Sequence, residues 1–347
     1  MSQMDQSFVS YLSSLLKEYP RSIALPESVD SRVLQAAISL LKEGSARKIA
    51  FFGNKSKILD TFQEHGLTAE LDLELVGDRI DWMMDHEHLV EATSSQYEQY
   101  LTSRGRSLPS SQIKQWGEQT INQAAYLVGA GEIDAGLAGC IATTAEVIRA
   151  ALIHIGLAAE QNTISGSFAM IREKQNARNL PEARYMFADC GVVIEPSATQ
   201  LVDIAAATVA SFRQLFPQET PRVAFLSFST KGSAKHPRQE LVAEATKMFQ
   251  KKYPEVAADG DLQFDAAISP EVGLRKSPGS SVAGQANCFV FPNLDAGNIA
   301  YKLAQRLAFF DAYGPILQGT QRPFSDLSRG ACAEDIKVAA MITMLRA

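Results

Sequence analysis

Long apolar runs are missing from this sequence, and no stretch approaches the roughly 20 residues that a membrane-spanning helix needs. Cysteine is scarce. Cys140, Cys190, Cys288 and Cys332 are widely separated with no Cys-x-x-Cys among them, which gives neither a disulfide framework nor a zinc site and fits a reducing compartment. Histidine is sparse too, and the one close pair, His86 and His88 around Glu87, lies in a polar stretch that reads as solvated surface. An excess of basic charge is also absent. Lys and Arg total 33 against 39 Asp and Glu, a net charge of −6, so there is no overall field for nucleic acid or an anionic membrane. Any bound anion must be met by local charge. No basic segment precedes an apolar one at the start of the chain, so no signal peptide is expected. Phe8, Tyr11, Leu12, Leu15 and Leu16 recur instead at helical spacing. These absences lead to the expectation of a cytoplasmic globular protein.

What is present is enough chain, 347 residues with 46% apolar, for about two domains with cores of their own. Residues 23–25 read as a strand stopped by Pro26. Ser28 and Asp30 offer caps for a helix through Val33, Leu34, Ala37, Leu40 and Leu41, which Gly44 ends. A buried strand at 48–53, a helix at 56–65 and a short strand at 71–76 follow. Polar helices are expected around 87–103 and 110–129, then a strand at 134–139. The second half offers strands at 165–171, 186–191, 222–228 and 288–291. Its helices run from Ser197 to near Phe216, over 238–251, and from Asp295 to about Phe310. This rhythm predicts an α/β protein of open, mostly parallel sheets covered by helices. The least regular stretches, near 159–163 and 311–326, are the candidate domain crossings. Two crossings make the first domain discontinuous, 1–160 with 318–347, around a second at 161–317.

Four stretches fall where open α/β sheets place ligands, in loops after strands. Ser229-Thr230-Lys231-Gly232-Ser233-Ala234-Lys235 has hydroxyls, a glycine and two lysines suited to a phosphate, without the order of a Walker A loop. An ordinary solvated turn accounts for it equally. Lys276 to Gly284 is rich in small residues that let a ligand approach the backbone, or simply turn the chain. Asp326-Leu327-Ser328-Arg329-Gly330, with Glu334-Asp335 beyond, could supply a donor, an anion clamp and a base. The plain alternative is a cap, an Arg329–Asp326 pair and an acidic first turn. Gly139-Cys140-Ile141-Ala142-Thr143-Thr144 leads into a helix carrying Arg149, where Thr143 or Thr144 would cap and the turn could hold an anion. Ser328 has no plausible histidine partner, so no Ser-His-Asp triad emerges.

In this order and register, those stretches resemble the phosphate acetyltransferase (phosphotransacetylase) family. Ile23-Ala24-Leu25-Pro26-Glu27 opens the likeness and Phe187-Ala188-Asp189 lies midway. The Ser229–Ala234 run, Pro278-Gly279-Ser280 with Val282-Ala283-Gly284, and Gly297-Asn298-Ile299-Ala300-Tyr301-Lys302 follow. Gly314-Pro315-Ile316 and Asp326 to Gly330 close it. The resemblance implies two α/β domains with an active site in the interdomain cleft, an isocitrate-dehydrogenase-like fold and a homodimer. The implied reaction interconverts acetyl phosphate plus coenzyme A with acetyl-CoA plus phosphate. No cofactor or chelated metal is implied, coenzyme A being a substrate.

Matched residue by residue, Ser328, Arg329 and Asp335 fall on the family's catalytic group. Arg306 and Arg149 fall on active-site arginines, and Arg104 on a third for which Arg106 competes. Thr143, Thr144, Ser229, Lys231 and Gly232 complete the expected substrate-binding set. Ala142 stands where the family has a His, Glu146 where it has an Asp, and Ala150 where a proline follows the arginine. The implied mechanism is direct transfer in a ternary complex, with Asp335 as base and no acyl-enzyme. The rivals are a phosphate butyryltransferase, a metal-dependent dehydrogenase of the related fold, and a non-catalytic domain that binds acyl-CoA or acetyl phosphate. The dehydrogenase needs several converging aspartates, and the sequence offers no such cluster.

Overall fold

The computed structural model of the chain describes residues 7–67, 77–83, 87–173 and 180–347. The strand expected at 71–76 and His86 lie outside the described residues. The fold is mixed α/β, in two compact units: Met1–Ala159 with Thr320–Ala347, and Glu160–Gly319.

Among the described residues the first unit is built on a parallel five-stranded sheet. Its strands are β1 (Ser22–Leu25), β2 (Lys48–Phe52), β3 (Ile80–Met83), β4 (Ala135–Ala138) and the last strand of the chain, Phe324–Asp326. The order is last strand, β4, β1, β2, β3. β1 and β2 are buried on both faces, which is why they read as continuous apolar runs. The helix Ser31–Glu43 starts where Asp30 accepts from the Arg32 N–H (2.9 Å) and ends where Gly44 turns left-handed at φ 70°. Its Val33, Leu34, Ala37, Ile38 and Leu41 are buried. The helix Ala333–Leu345 packs on this helix, on Phe8–Glu18 and on β4, and is apolar almost all round. The stretch expected as one helix over 110–129 is two, Ser110–Gly117 and Thr120–Ala130. Gly117 lies where a Cβ would meet Ser94 Oγ at 2.2 Å, so the chain turns at a close helix–helix approach.

Within this unit His154 is buried as a neutral imidazole. Trp116 Nε1–H donates to its Nε2 (3.2 Å), and its Nδ1 lies 2.8 Å from Gln96 Oε1, so both ring nitrogens are committed. Burial holds its pKa down to about 4 from the ordinary 6.5. The unfolded chain therefore takes up this proton first, and the contribution of His154 to stability is lost as pH falls from 6.5 toward 4. At about 1.4 kcal/mol per pKa unit the loss is about 3 kcal/mol. Asp326, pushed up to about 6, changes stability in the opposite sense over nearly the same range. The clean measurement is therefore a difference. His154→Gln should gain about 3 kcal/mol on the wild type between pH 7 and pH 4 in urea unfolding. Parallel stability curves would contradict it.

The second unit carries β5 (Ser165–Arg172), β6 (Ala183–Ala188), β7 (Arg222–Leu226), β8 (Ala257–Leu262), β9 (Cys288–Val290) and β10 (Asp311–Gln318). The order is β10-β5-β6-β9-β7-β8, with β10, β5 and β6 antiparallel and the remainder parallel. Its core gathers Phe168, Met170, Phe187, Leu226, Phe289 and Phe291. The strand expected at 186–191 ends at Ala188. Beyond it the buried Asp189 carboxylate accepts from the N–H groups of Gly166, Gly191, Val192 and Val193 and bends the chain. The stretch 311–326 is not irregular, since it contains β10 and the last strand. No helix among the described residues is long and apolar enough to cross a membrane.

Candidate active site

In the first unit the last strand delivers Ser328 and Arg329 in a short exposed loop, and the helix Ala333–Leu345 begins just after it. The loop is closed by Ala331 N–H donating to Ser328 O (2.9 Å) and Gly330 N–H to Ser328 Oγ (3.3 Å). Asp335 occupies the third helical position and accepts from the Cys332 N–H at 2.9 Å through Oδ2. Its other oxygen has no partner among the described residues, nor does the Arg329 guanidinium. A hydroxyl, a cation and a carboxylate thus come from one loop and the first turn of one helix. The expected Arg329–Asp326 pair does not form: Asp326 is buried behind the loop.

The turn Gly139–Ala142 takes a different form from the anion site its letters suggest. Its four successive N–H groups are already filled by the buried carboxylate of Glu27. Oε2 accepts from Gly139 (2.9 Å) and Cys140 (2.7 Å), and Oε1 from Ile141 (2.8 Å) and Ala142 (2.7 Å). Gly139 sits at φ +113°, and a Cβ there would lie 2.4 Å from Asp326 Oδ1, so only glycine fits. Thr143 caps the helix Thr144–His154 in a capping box with Glu146, whose carboxyl is lowered by those bonds. Thr144 Oγ1 donates to Asp326 Oδ2 at 2.6 Å. Burial pushes Asp326 up to about 6, and its Oδ1 has no hydrogen-bond partner among the described residues. The two threonine hydroxyls are therefore engaged within the chain, and Asp326 ties the turn to the Ser328 loop. Burial, with Glu27 and Asp30 adding, pushes the Cys140 thiol up to about 12, so it stays protonated. Arg149 is exposed two turns into the helix and forms no ion pair among the described residues. Arg104 follows the helix Glu87–Ser103 with its guanidinium 4.9 Å from the Tyr100 ring centroid, while Arg106 is exposed without a side-chain partner among the described residues.

In the second unit the polar groups of the loop 229–235 are taken up within the loop and by two carboxylates of β8. Lys231 Nζ is bound to Asp259, Gly232 N–H donates to Asp261 Oδ2 (3.3 Å), and Ser229 Oγ accepts from the Ala234 N–H (3.2 Å). The second small-residue loop meets it: Lys231, Asp259, Gly279 and Ser280 line a shallow cavity of about 310 Å³. Arg306 is exposed near the end of the helix Leu294–Leu307, unpaired among the described residues. A larger apolar cavity, about 490 Å³, lies beyond the C-terminal ends of β7 and β9, lined by Phe228, Phe264, Phe291, Arg238 and Asn293. Sequence reasoning missed it, because its walls come from five separate segments. Among the described residues no three His, Cys, Asp or Glu side chains converge on a possible metal position.

A model of the phosphate acetyl/butaryl transferase family matches residues 7–344. The chain belongs to that family. It is 41% identical over 345 residues to a phosphate acetyltransferase of Acetivibrio thermocellus, covering 98% of each chain. Among solved structures, a phosphotransacetylase from Streptococcus pyogenes superposes with a TM-score of 0.85 at 36% identity, covering 99% of this chain and 98% of that one. The family's fold extends further: a 4-hydroxythreonine-4-phosphate dehydrogenase from Burkholderia phymatum has a TM-score of 0.52 at 13% identity over 94% of this chain and 97% of its own. That last likeness shows the architecture alone.

Proposed function

We propose that the chain is a phosphate acetyltransferase, moving an acetyl group reversibly between acetyl phosphate and coenzyme A. The observation that carries this is the Ser328–Asp335 segment in a chain that belongs to the family. A guanidinium unpaired among the described residues, a hydroxyl and a half-free carboxylate come together from one short loop and the first turn of the helix after it. A free thiol has a pKa near 8.5, so little thiolate exists at neutral pH and a base is needed. Asp335 takes the thiol proton as sulfur bonds to the acetyl carbon. Arg329 and Ser328 stabilise the negative carbonyl oxygen, the carbon–phosphate oxygen bond breaks, and phosphate leaves to be met by Arg149 and Arg104 of the same unit. Thr143, Thr144, Ser229, Lys231 and Gly232 act through the shape of their turns, because their polar groups are already bonded. No resident cofactor takes part, and the setting is cytoplasmic.

The test is thioester formation from coenzyme A with acetyl, propionyl and butyryl phosphates, with and without chelator. We expect acetyl phosphate to give the highest kcat/KM and chelator to leave it unchanged. A preference for butyryl phosphate would make the chain a butyryltransferase, and no thioester at all would leave a binding protein.

The active form is a homodimer. Ile299, Leu303 and Leu307 are exposed at a four-residue repeat on the helix Leu294–Leu307, beside the exposed Ile194, whose carbonyl accepts from the Leu294 N–H at 3.0 Å. An apolar stripe of this kind is a protein-binding face. The wild type should sediment as a dimer and Leu303→Glu as a monomer. Equal masses for the two proteins would refute the assignment of this face.

A further inference from the structure

Arg32 lies outside every motif assigned a role above, yet its guanidinium joins three segments of the first unit. Nε and Nη2 grip the two oxygens of Asp30 at 3.0 and 2.7 Å, and Asp30 is itself fixed as the cap of the helix Ser31–Glu43. Nη1 donates to the carbonyls of Arg329 (2.8 Å) and Ala331 (2.9 Å), and Nη2 reaches the carbonyl of Cys140 at 3.4 Å. A guanidinium has five N–H groups, and here five acceptors meet them. No donor is left over for a ligand.

We propose that Arg32 is a positioning residue for acyl transfer, holding the loop 328–332 in the shape that presents Ser328, Arg329 and Asp335. The inference rests on the function proposed above. The loop's own bonds close only the turn from Ser328 to Ala331, whereas the carbonyls of Arg329 and Ala331 are fixed from outside by Arg32 alone among the described residues. The Ala331 carbonyl immediately precedes Cys332, the cap on which Asp335 is anchored, so the same clamp sets both the cation and the carboxylate. Asp30 holds the clamp rigid, and the bond to Cys140 keeps the turn before Arg149 in register with the loop. Lysine keeps the charge but offers three donors from one point, which cannot bridge Asp30 and two loop carbonyls together.

The experiment compares wild type, Arg32→Lys and Arg32→Ala. For Arg32→Lys we expect kcat to fall roughly 10- to 100-fold, the usual consequence of misplacing catalytic groups by about an ångström, with both KM values within about threefold of wild type. Added methylguanidinium should restore part of the kcat of Arg32→Ala and none of Arg32→Lys. Amide exchange over 327–332 should rise in both variants while the β-sheet peptides stay protected. A kcat within twofold of wild type in Arg32→Lys would overturn the proposal, and so would a loss confined to the KM for coenzyme A. The exchange measurement needs no turnover. An inactive wild type with a clamped loop would therefore fault the proposed function, whereas an active wild type whose loop is unmoved by Arg32→Lys would fault the clamp.

Discussion

Asp335→Asn should lower kcat by roughly 10²- to 10⁴-fold, the range expected when a general base is lost, with modest change in either KM. The structure makes this substitution unusually clean. Asp335 caps its own helix by accepting from the Cys332 N–H, and an asparagine carbonyl can take over that bond. The helix behind it is anchored by buried Ile336, Val338, Ala340 and Met341, none of which the change touches. What asparagine cannot do is accept the thiol proton. The pH profile isolates that role. As pH rises toward the thiol pKa near 8.5, thiolate forms without help and the deficit of the variant should narrow. A deficit constant from neutral to alkaline pH would remove Asp335 from the base role and leave it as a helix cap. Arg329→Gln should also lose kcat, but its deficit should be independent of pH, because charge on the carbonyl oxygen develops whichever way the thiol is ionised.

How much of this was legible in the sequence depends on the reach of each interaction. β1, β2, β7 and β9 announce themselves because strands buried on both faces are short apolar runs between breakers. β8 does not, because its Ala-Ala-Asp-Gly-Asp-Leu carries two buried carboxylates that serve the loop of Lys231 and Gly232. β10 is hidden by Gly314-Pro315, a pair that ordinarily marks a turn. It is tolerated here because β10 is an edge strand with an irregular register between Tyr313 and Ile316. At the site, Ser328, Arg329 and Asp335 fall within eight residues, which spacing explains equally as a cap and an acidic first turn, and it is the family resemblance that marks them as a catalytic group. The lysine of the 229–235 loop misleads, since local composition cannot reveal that Asp259, a strand away, neutralises it. Glu27 and Arg32 are invisible for the same reason. The turn and loop they hold lie more than a hundred residues downstream, and only the unanswered question of what fills four successive N–H groups at Gly139–Ala142 could have pointed to a distant carboxylate.

That carboxylate should prove expensive to alter. Glu27→Gln changes one oxygen into an NH2 group of nearly the same size, so packing is preserved and the hydrogen-bond geometry alone is tested. The amide oxygen can still serve two N–H groups, and it will turn toward those of Gly139 and Cys140, which are buried. The NH2 group must then face the N–H groups of Ile141 and Ala142, donor against donor. Two charge-assisted bonds are lost and the other two weakened. At about 1–3 kcal/mol for each group left unsatisfied, and with water able to reach the outer pair, the net cost is about 2–4 kcal/mol. In a unit of this size that corresponds to a fall in Tm of roughly 5–15 °C. The disturbance does not stop at the turn. Glu27 is one cause of the raised pKa of Asp326, and Asp326 holds Thr144 and leads into the Ser328 loop. Removing the charge of Glu27 should therefore let Asp326 ionise at a lower pH than about 6, readable by carboxyl NMR, and should lower kcat along with stability. If Glu27→Gln unfolds within about 2 °C of wild type, the four N–H groups have found another acceptor, and the carboxylate is not what shapes this turn.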